Sequence, residues 1–198
     1  MNTVHQSIIE CVAEAVQAAC ASEKNIFGYG IWTHHITQVV RYARLLAHIN
    51  DADVEIVELA ALLHDYAGIK DAALYSQHHI YGPIEAEKLL VSLGYPLERI
   101  EAVQHCIATH RASVASERKT VEAQCLADAD GIAHIDQVPS LMKMVFVDQG
   151  LDIDAGTRWV RAKLERSWQK LSPQAREMMY DKYTAVLKTL TISESDAA

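Results

Sequence analysis

Apolar residues recur at intervals of three and four along nearly the whole chain, the spacing that lines one face of an α-helix. Residues 4–21 show this spacing with Val12, and residues 33–49 show it with Val39 and Ala43. No segment alternates convincingly with the two-residue period of a strand, and no strong hairpin signal separates strand-like runs. A chain patterned in this way folds by packing helices on one another. We therefore predict an all-α fold.

Capping and helix-breaking residues predict where the helices begin and end. Asp53 and Ser172 can act as N-caps, and Pro83 suits a first helical turn. Gly94 suits a C-terminal stop, whereas residues 66–82 show no regular pattern. The expected helices, about eight or nine in number, span roughly residues 4–21, 33–49, 54–64, 83–93, 97–109, 121–135, 138–148, 155–169 and 173–190.

The length and the charge exclude several classes of protein. The 198 residues suit one domain, and 26 Asp and Glu against 18 Lys and Arg give a net charge of −8. This acid excess argues against non-specific binding of a nucleic-acid polymer, which requires a basic surface. No apolar run approaches the roughly 18 residues of a membrane span, and the N-terminus lacks a signal-peptide pattern. We expect a single domain over residues 1–198, located in the cytoplasm and without a membrane partner.

The four cysteines fit the same compartment. They form no CxxC pair, and they lie among apolar residues at helical spacing, at Cys11, Cys20, Cys106 and Cys125. We expect buried thiols in a reducing cytoplasm, and the alternative is a redox or zinc–thiolate role.

Ionisable residues interrupt the apolar faces of four predicted helices. His35 continues the row of Val39 at a four-residue step and so points into the core, whereas His34 lies about 100° away and faces solvent. His64 and Asp65 stand side by side at the end of the apolar run AALL. A carboxylate at such a position is unusual, because burying it without a partner costs several kcal/mol.

The fifth and sixth predicted helices carry further inward-facing ionisable residues. Their apolar rows lead to His110 and to Asp130, while Asp128 lies on the opposite side. Any one such histidine, taken alone, is more often a satisfied core residue than a ligand. Together, imidazoles and carboxylates are natural ligands of a divalent cation, which offsets their buried charge. No cysteine belongs to the set, which disfavours structural zinc. The pattern therefore predicts a metal site.

These residues resemble the H…HD…D signature of the HD-domain superfamily of metal-dependent phosphohydrolases. The match consists of His35, of His64 and Asp65 in AALLHD, and of Asp130 in LADADGIA. The resemblance implies that these four residues bind one divalent metal. It also implies a single-domain HD-type helical bundle with its core at about residues 30–135, on which the helices of about 138–190 pack.

Some HD enzymes carry two further histidines between the HD pair and the last Asp, which bind a second metal or the substrate phosphates. By resemblance, His79 in HHIYGPIEAEKLL and His110 in CIATHR take these places. The alternative is two polar residues that line the cleft. His78 and His105 are the neighbours most easily confused with them.

Two departures from the family pattern concern cations. Many HD hydrolases read HDIGK, whereas this chain reads HDYAGIKD and places Lys70 two residues late. Lys70 either approaches a substrate phosphate or is a solvated loop lysine. A basic residue often follows the last Asp of the family, and here that position is Gly131. Arg111, directly after His110, is a candidate substitute for binding substrate.

The resemblance implies hydrolysis of a phosphate ester or phosphoanhydride by metal-activated water, on a nucleotide or small phosphorylated metabolite. Asp65 would both ligate the metal and orient the water. The pattern does not distinguish Mn, Fe, Mg, Co, Ni and Zn, nor one metal from two.

Two other functions stay open, together with the oligomeric state. The first is an HD-fold di-iron oxygenase that uses the six residues His35, His64, Asp65, His79, His110 and Asp130. The second is a non-catalytic nucleotide-sensing module. The apolar stripes of the C-terminal helices either complete the core or form a homodimer face.

Overall fold

The computed structural model describes residues 7–111 and 117–191, and every regular element in these ranges is helical. The all-α prediction is confirmed, and no strand occurs in the described ranges. The α-helices are α1 (Ile8–Ala21), α2 (Thr37–Ile49), α3 (Val54–Leu63), α4 (Tyr66–Lys70), α5 (His78–Ser92), α6 (Leu97–Thr109), α7 (Val121–Asp136), α8 (Val138–Lys143), α9 (Ile153–Lys170) and α10 (Pro173–Thr189). Two π-helical turns (Trp32–Ile36 and Met144–Asp148) and one 3-10 turn (Ala72–Gln77) adjoin them. Residues 4–6 of the first predicted helix lie outside the described ranges.

Side-chain caps fix the starts of most of the long helices. Asp53 accepts a hydrogen bond from the N–H of Ile56, as predicted for the start of α3. Ser172 caps α10 in the same way, with Pro173 in the first turn. Ser7 begins α1 with a reciprocal capping box. The local sequence therefore determines where these helices begin.

The segment 66–82, predicted to be irregular, is largely helical. It contains α4, and α5 begins at His78, so that Pro83 lies inside α5. The placement of Pro83 in a first turn was therefore wrong. Proline offers no N–H to the carbonyl one turn earlier, which weakens the helix but does not end it. Gly82 lets α5 approach α6 closely, because a Cβ built there would lie 2.9 Å from Ile107 Cγ2.

Helix α7 runs through the middle of the bundle. It packs on α2, α3, α6 and α9, and its residues from Cys125 to Ala133 are all buried. Helix α3 is also buried on nearly every side from Ile56 to Leu63, and its second half is the apolar run 59–63. The end of α3, the end of α6 and the centre of α7 consequently meet inside the protein.

The C-terminal helices cover one side of α7. Helix α9 packs on α7 and α8, and α10 packs on α7 and α9. The rings of Trp168 and Tyr183 stack between α9 and α10, with their centroids 4.2 Å apart. Among the helices in the described part of the chain, none combines the length and the apolarity needed to cross a membrane.

Candidate metal centre

His64 and Asp65 lie where α3 ends, and the local backbone orients the histidine. The His64 side chain is fully buried, and its Nδ1 lies 2.8 Å from the carbonyl oxygen of Ala61. A hydrogen on Nδ1 donates to this carbonyl, so Nε2 of the neutral ring presents a lone pair. His64 Nε2 faces Asp65 Oδ2 at 3.3 Å. The end of α3 thus offers one nitrogen and one oxygen to the same point.

His35 and Asp130 bring two more donor atoms to this point. His35 lies in the π-helical turn before α2, and its Nε2 is 3.1 Å from His64 Nε2 and 3.3 Å from Asp65 Oδ2. Asp130, in the middle of α7, places Oδ1 3.5 Å from His35 Nε2 and 4.0 Å from His64 Nε2. Donors that each bind an ion at about 2.1 Å lie about 3 Å apart. The donor set therefore fits a divalent cation.

The electrostatics of these residues favour positive charge at their centre. Burial alone would raise the pKa of Asp65, but His64 and the hydrogen bonds of the surrounding rings hold it well below its usual value. Burial opposes protonation of His64, yet the Asp65 and Asp130 carboxylates outweigh burial and raise its pKa. A divalent cation would satisfy the same carboxylates.

A second group of donors adjoins the first through Asp65. The second carboxylate oxygen of Asp65, Oδ1, lies 3.4 Å from His78 Nε2. The ligand atoms of Asp65, His78 and His110 all lie within 4.8 Å of one another. The Nδ1 atoms of His78 and His110 face the carbonyl oxygens of Tyr75 and Ile107 at 2.7 and 2.6 Å.

Three histidines of the two groups share one local arrangement. His64, His78 and His110 each place Nδ1 against the carbonyl three residues earlier, which leaves Nε2 for the centre. Such outer hydrogen bonds fix the tautomer of a metal ligand. Burial is the largest of the effects that hold the pKa of His110 well below its usual value, so its ring is neutral and can act as a ligand.

The structure places His78, and not the predicted His79, beside Asp65. His78 is buried beside Asp65, whereas His79 points away and its Nδ1 lies 3.1 Å from an Arg111 nitrogen. Adjacent residues of a helix are rotated by about 100°, so only one of the two can face the centre. The choice depends on where α5 begins, and the sequence pattern did not predict that start.

The two predicted cations lie outside both donor groups. Lys70 forms an ion pair with Glu85, with 2.6 Å between Nζ and Oε2, at the protein surface. Arg111 follows His110 and donates to the carbonyl of Ser76 at 2.6 Å. Arg111 thus connects the end of α6 to the start of α5, whereas the ammonium of Lys70 pairs with Glu85 at the surface.

Two further residues reach Asp130 without having been assigned a role from the sequence. His134 Nε2 lies 3.1 Å from Asp130 Oδ1, and the His134 ring stacks on that of His35. The spacing of four residues on α7 was the available signal for this contact. Burial and the charge of Lys163 lower the pKa of His134 to about 3, so its ring is neutral.

The second unassigned residue, Lys170, comes from the last turn of α9. Its Nζ donates to Asp130 Oδ2 and, at 3.1 Å, to the carbonyl of His110. Only 4% of the Lys170 side chain is exposed. Lys170 lies 40 residues after Asp130 in the chain, so no local sequence pattern predicts this ion pair.

Comparisons with known proteins identify the family of this chain. Residues 32–135 match the sequence model of the HD domain. The curated Bacillus subtilis (strain 168) protein YpgQ, described as uncharacterized, is 31% identical over 111 residues. That match covers 53% of this chain and 51% of YpgQ, so it spans about half the length of the relative.

Three solved structures share the fold over most of the chain. Bacillus subtilis YpgQ superposes with a TM-score of 0.67 at 22% identity, covering 92% of this chain and 91% of YpgQ. Its complex with ADP gives 0.63 at 23% identity, with 90% and 93% covered. A predicted HD superfamily hydrolase from an uncultured Thermotogales bacterium gives 0.61 at 21% identity, with 90% and 87% covered. The family match contains His35, the His64–Asp65 pair and Asp130. The chain therefore belongs to the HD-domain family.

Proposed function

We propose that this protein is a metal-dependent phosphohydrolase that cleaves a phosphate ester or phosphoanhydride of a nucleotide or small phosphorylated metabolite. The observation that carries the proposal is the position of Asp65 between two groups of donors. One of its oxygens faces His35 and His64 at 3.3 Å, and the other faces His78 at 3.4 Å. A carboxylate shared in this way suits two adjacent divalent ions, which together can clamp a phosphoryl group.

The first site would be held by His35, His64, Asp65 and Asp130, and the second by Asp65, His78 and His110. The three atoms of the second set lie within 4.8 Å of one another, as do those of His35, His64 and Asp65. The second set replaces the expected His79 by His78. All of these donors are imidazole nitrogens or carboxylate oxygens. This mixture of nitrogen and oxygen ligands suits Mn, Fe, Co, Ni or Zn better than it suits an ion that prefers oxygen ligands alone.

A nucleotide substrate is supported by the complex of Bacillus subtilis YpgQ with ADP. YpgQ shares the fold and, over 111 residues, 31% of the sequence. A diphosphate also suits the charge of the proposed site, because divalent cations provide the positive field that the acidic chain lacks.

When bound, a divalent cation supplies Lewis acidity toward a phosphoryl oxygen and lowers the pKa of a coordinated water. Asp65, whose two oxygens face the two groups of donors, would both hold the cation and orient that water. His78 and His110 keep a hydrogen on Nδ1, donated to a backbone carbonyl, and leave Nε2 free for the donor group that they form with Asp65. The low pKa of His110 makes this residue a ligand or acceptor rather than a proton donor.

We propose Arg111, rather than Lys70, as the side chain that binds the substrate phosphates. Arg111 follows His110 directly and spans to Ser76 and His79 at the start of α5. Lys70 is neutralised by Glu85. A guanidinium offers several donors to phosphate oxygens in a fixed geometry.

A matrix of metals against substrates tests the proposal, with elemental analysis of the purified protein alongside. Chelator-treated protein is supplied with Mn, Mg, Co, Ni, Zn or Fe(II) and assayed for phosphate or pyrophosphate release from nucleotides and sugar phosphates. We expect turnover that requires an added metal and that is absent from His64→Ala. Iron-bound protein that consumes oxygen instead would indicate an oxygenase, and tight ADP binding without turnover under any metal would indicate a sensor.

A further inference from the structure

Lys170 supplies positive charge to the metal centre from outside the segment that matches the HD domain. The matched segment ends at residue 135, and Lys170 is the last residue of α9. Its ammonium pairs with Asp130 Oδ2, while Asp130 Oδ1 faces the rings of His35 and His134 at 3.5 and 3.1 Å. One oxygen of the Asp130 carboxylate thus binds Lys170, and the other faces the two histidines.

Gly131 makes this approach of α9 sterically feasible. A Cβ built on Gly131 would lie 2.6 Å from Leu171 Cδ2, 3.1 Å from Lys170 Cε and 3.2 Å from the carbonyl oxygen of Ser167. Any larger residue directly after Asp130 would therefore push the end of α9 outwards.

Burial makes the Lys170–Asp130 pair electrostatically strong. The two side chains are 4% and 8% exposed, so water screens their charges only weakly. Lys170 also donates to the carbonyl of His110, a member of the second donor group, at 3.1 Å. The ammonium therefore touches residues of both groups.

We infer that Lys170 is an internal counter-ion that limits how tightly the centre binds divalent metal. The inference rests on the proposed function only in taking Asp130 as a metal ligand. Two effects act in the same direction. Without a metal, the ammonium stabilises the buried Asp130 carboxylate, and with a metal bound to that carboxylate the two cations repel each other. Lys170 is thus a positioning residue that weakens metal binding and keeps Asp130 oriented when no metal is bound.

The chain offers a matched control for this lysine. Lys182, on α10, pairs with Asp136 on the same helix α7, but 48% of its side chain is exposed and Asp136 belongs to neither donor group. Replacing either lysine by methionine removes one ammonium that contacts an aspartate of α7 from a C-terminal helix. Only Lys170→Met removes that charge beside the donors.

The experiment measures binding of Mn²⁺ alone to chelator-treated full-length protein by calorimetry, together with the unfolding temperature with and without Mn²⁺. We expect Lys170→Met to bind Mn²⁺ at least tenfold more tightly than the wild type. Its metal-free form should unfold at a lower temperature, and Mn²⁺ should raise that temperature by more than in the wild type. Lys170→Arg and Lys182→Met should keep the wild-type affinity.

Wild-type or weaker affinity in a folded Lys170→Met protein overturns the inference, because a purely structural role predicts that result. If Lys170→Met does not fold without metal, Lys170→Gln, which retains a hydrogen-bond donor, is judged by the same criterion. Tighter binding in the variant with no hydrolysis by any form of the protein would contradict the proposed function and support the role of Lys170. Absence of Mn²⁺ binding by the wild type would contradict both.

Discussion

His78 Nε2, at the start of α5, lies 3.4 Å from Oδ1 of Asp65, the residue directly before α4. His79 is the next residue after His78 in the sequence. Asp65 directs its other oxygen to His64, at 3.3 Å. Asp65 therefore connects two groups of donors, and His78 is the residue by which α5 takes part. The rotation of α5 that buries His78 turns His79 toward Arg111.

Replacing His78 should therefore affect metal content where replacing His79 does not. We expect His78→Ala to lose one of two bound divalent ions and to lower kcat by at least about a hundredfold, the scale expected when a metal site is damaged. His79→Ala should keep the wild-type metal stoichiometry. Elemental analysis and steady-state kinetics on both variants measure these effects. Equal losses in the two variants would show that His78 has no special position.

Replacing the two aspartates of the LADADGIA segment one at a time should have different effects on metal binding. Asp130 faces the donor histidines, whereas Asp128 Oδ1 accepts hydrogen bonds from the N–H of Ser172 at 2.8 Å and from Gln124 at 2.9 Å. Asp130→Asn should weaken Mn²⁺ binding by at least about a hundredfold, because a ligand charge is lost. Asp128→Asn retains an oxygen for Ser172 and should bind Mn²⁺ like the wild type. Calorimetric titration distinguishes the two, and a reversed order would contradict the assignment of Asp130.

Helical phase predicted much of the site because the donors interrupt long apolar rows. His35 is turned inward and His34 is exposed, which follows from a step of four residues to Val39. His64 and Asp65 end a helix that is buried on nearly all sides. In such places a single periodicity determines which way a side chain points.

The remaining donors depend on information that local patterns do not contain. The start of α5 at His78 coincides with a hydrogen bond from the His78 side chain, through Nδ1, to the carbonyl of Tyr75, and with close packing on α6 at Gly82, whereas Pro83 favours a later start. Lys170 meets Asp130 only through the packing of α9 on α7. Tertiary contacts of this kind override helix-start signals and cannot be read from spacing.

Acid should remove part of the stability that Asp53 provides to α3. Burial opposes ionisation of Asp53, but hydrogen bonds from Arg99 and from the N–H of Ile56 outweigh burial and lower its pKa. Because the folded pKa lies below the unfolded value of about 3.9, the stabilisation is complete above that value and is lost as the pH falls through the folded pKa.

We expect Asp53→Ala to lower the free energy of unfolding by about 1 kcal/mol at pH 7, the usual effect of losing an N-cap. The difference from the wild type should shrink as the pH falls below about 4. Asp53→Asn, which keeps the capping oxygen but loses the charge, should lie between the wild type and Asp53→Ala at pH 7, because the partly exposed pair with Arg99 supplies only part of the stabilisation. Denaturant unfolding at several pH values measures this, and a loss that grows in acid would have the wrong sign.

Gly131 should be intolerant of a side chain where Gly30 is not. A Cβ at Gly131 would overlap the Leu171 side chain, because it would lie only 2.6 Å from Cδ2. A Cβ at Gly30 would have no neighbouring atom within 4 Å. Gly131→Ala should cost about 1–3 kcal/mol of stability, as overpacked sites do. Gly30→Ala should change stability by about 0.5 kcal/mol or less. Thermal unfolding of both variants provides the comparison, and equal midpoints would show that α9 does not pack tightly on α7 there.

The most direct test of the account is phosphate release by metal-stripped protein before and after a divalent metal is restored, in the wild type and in the double variant His64→Ala/Asp65→Ala. Circular dichroism establishes that the variant is folded. We predict that the wild type is inactive when stripped and active once metal is restored, and that the folded variant binds no metal and stays inactive throughout. Full activity in the stripped double variant would contradict the account.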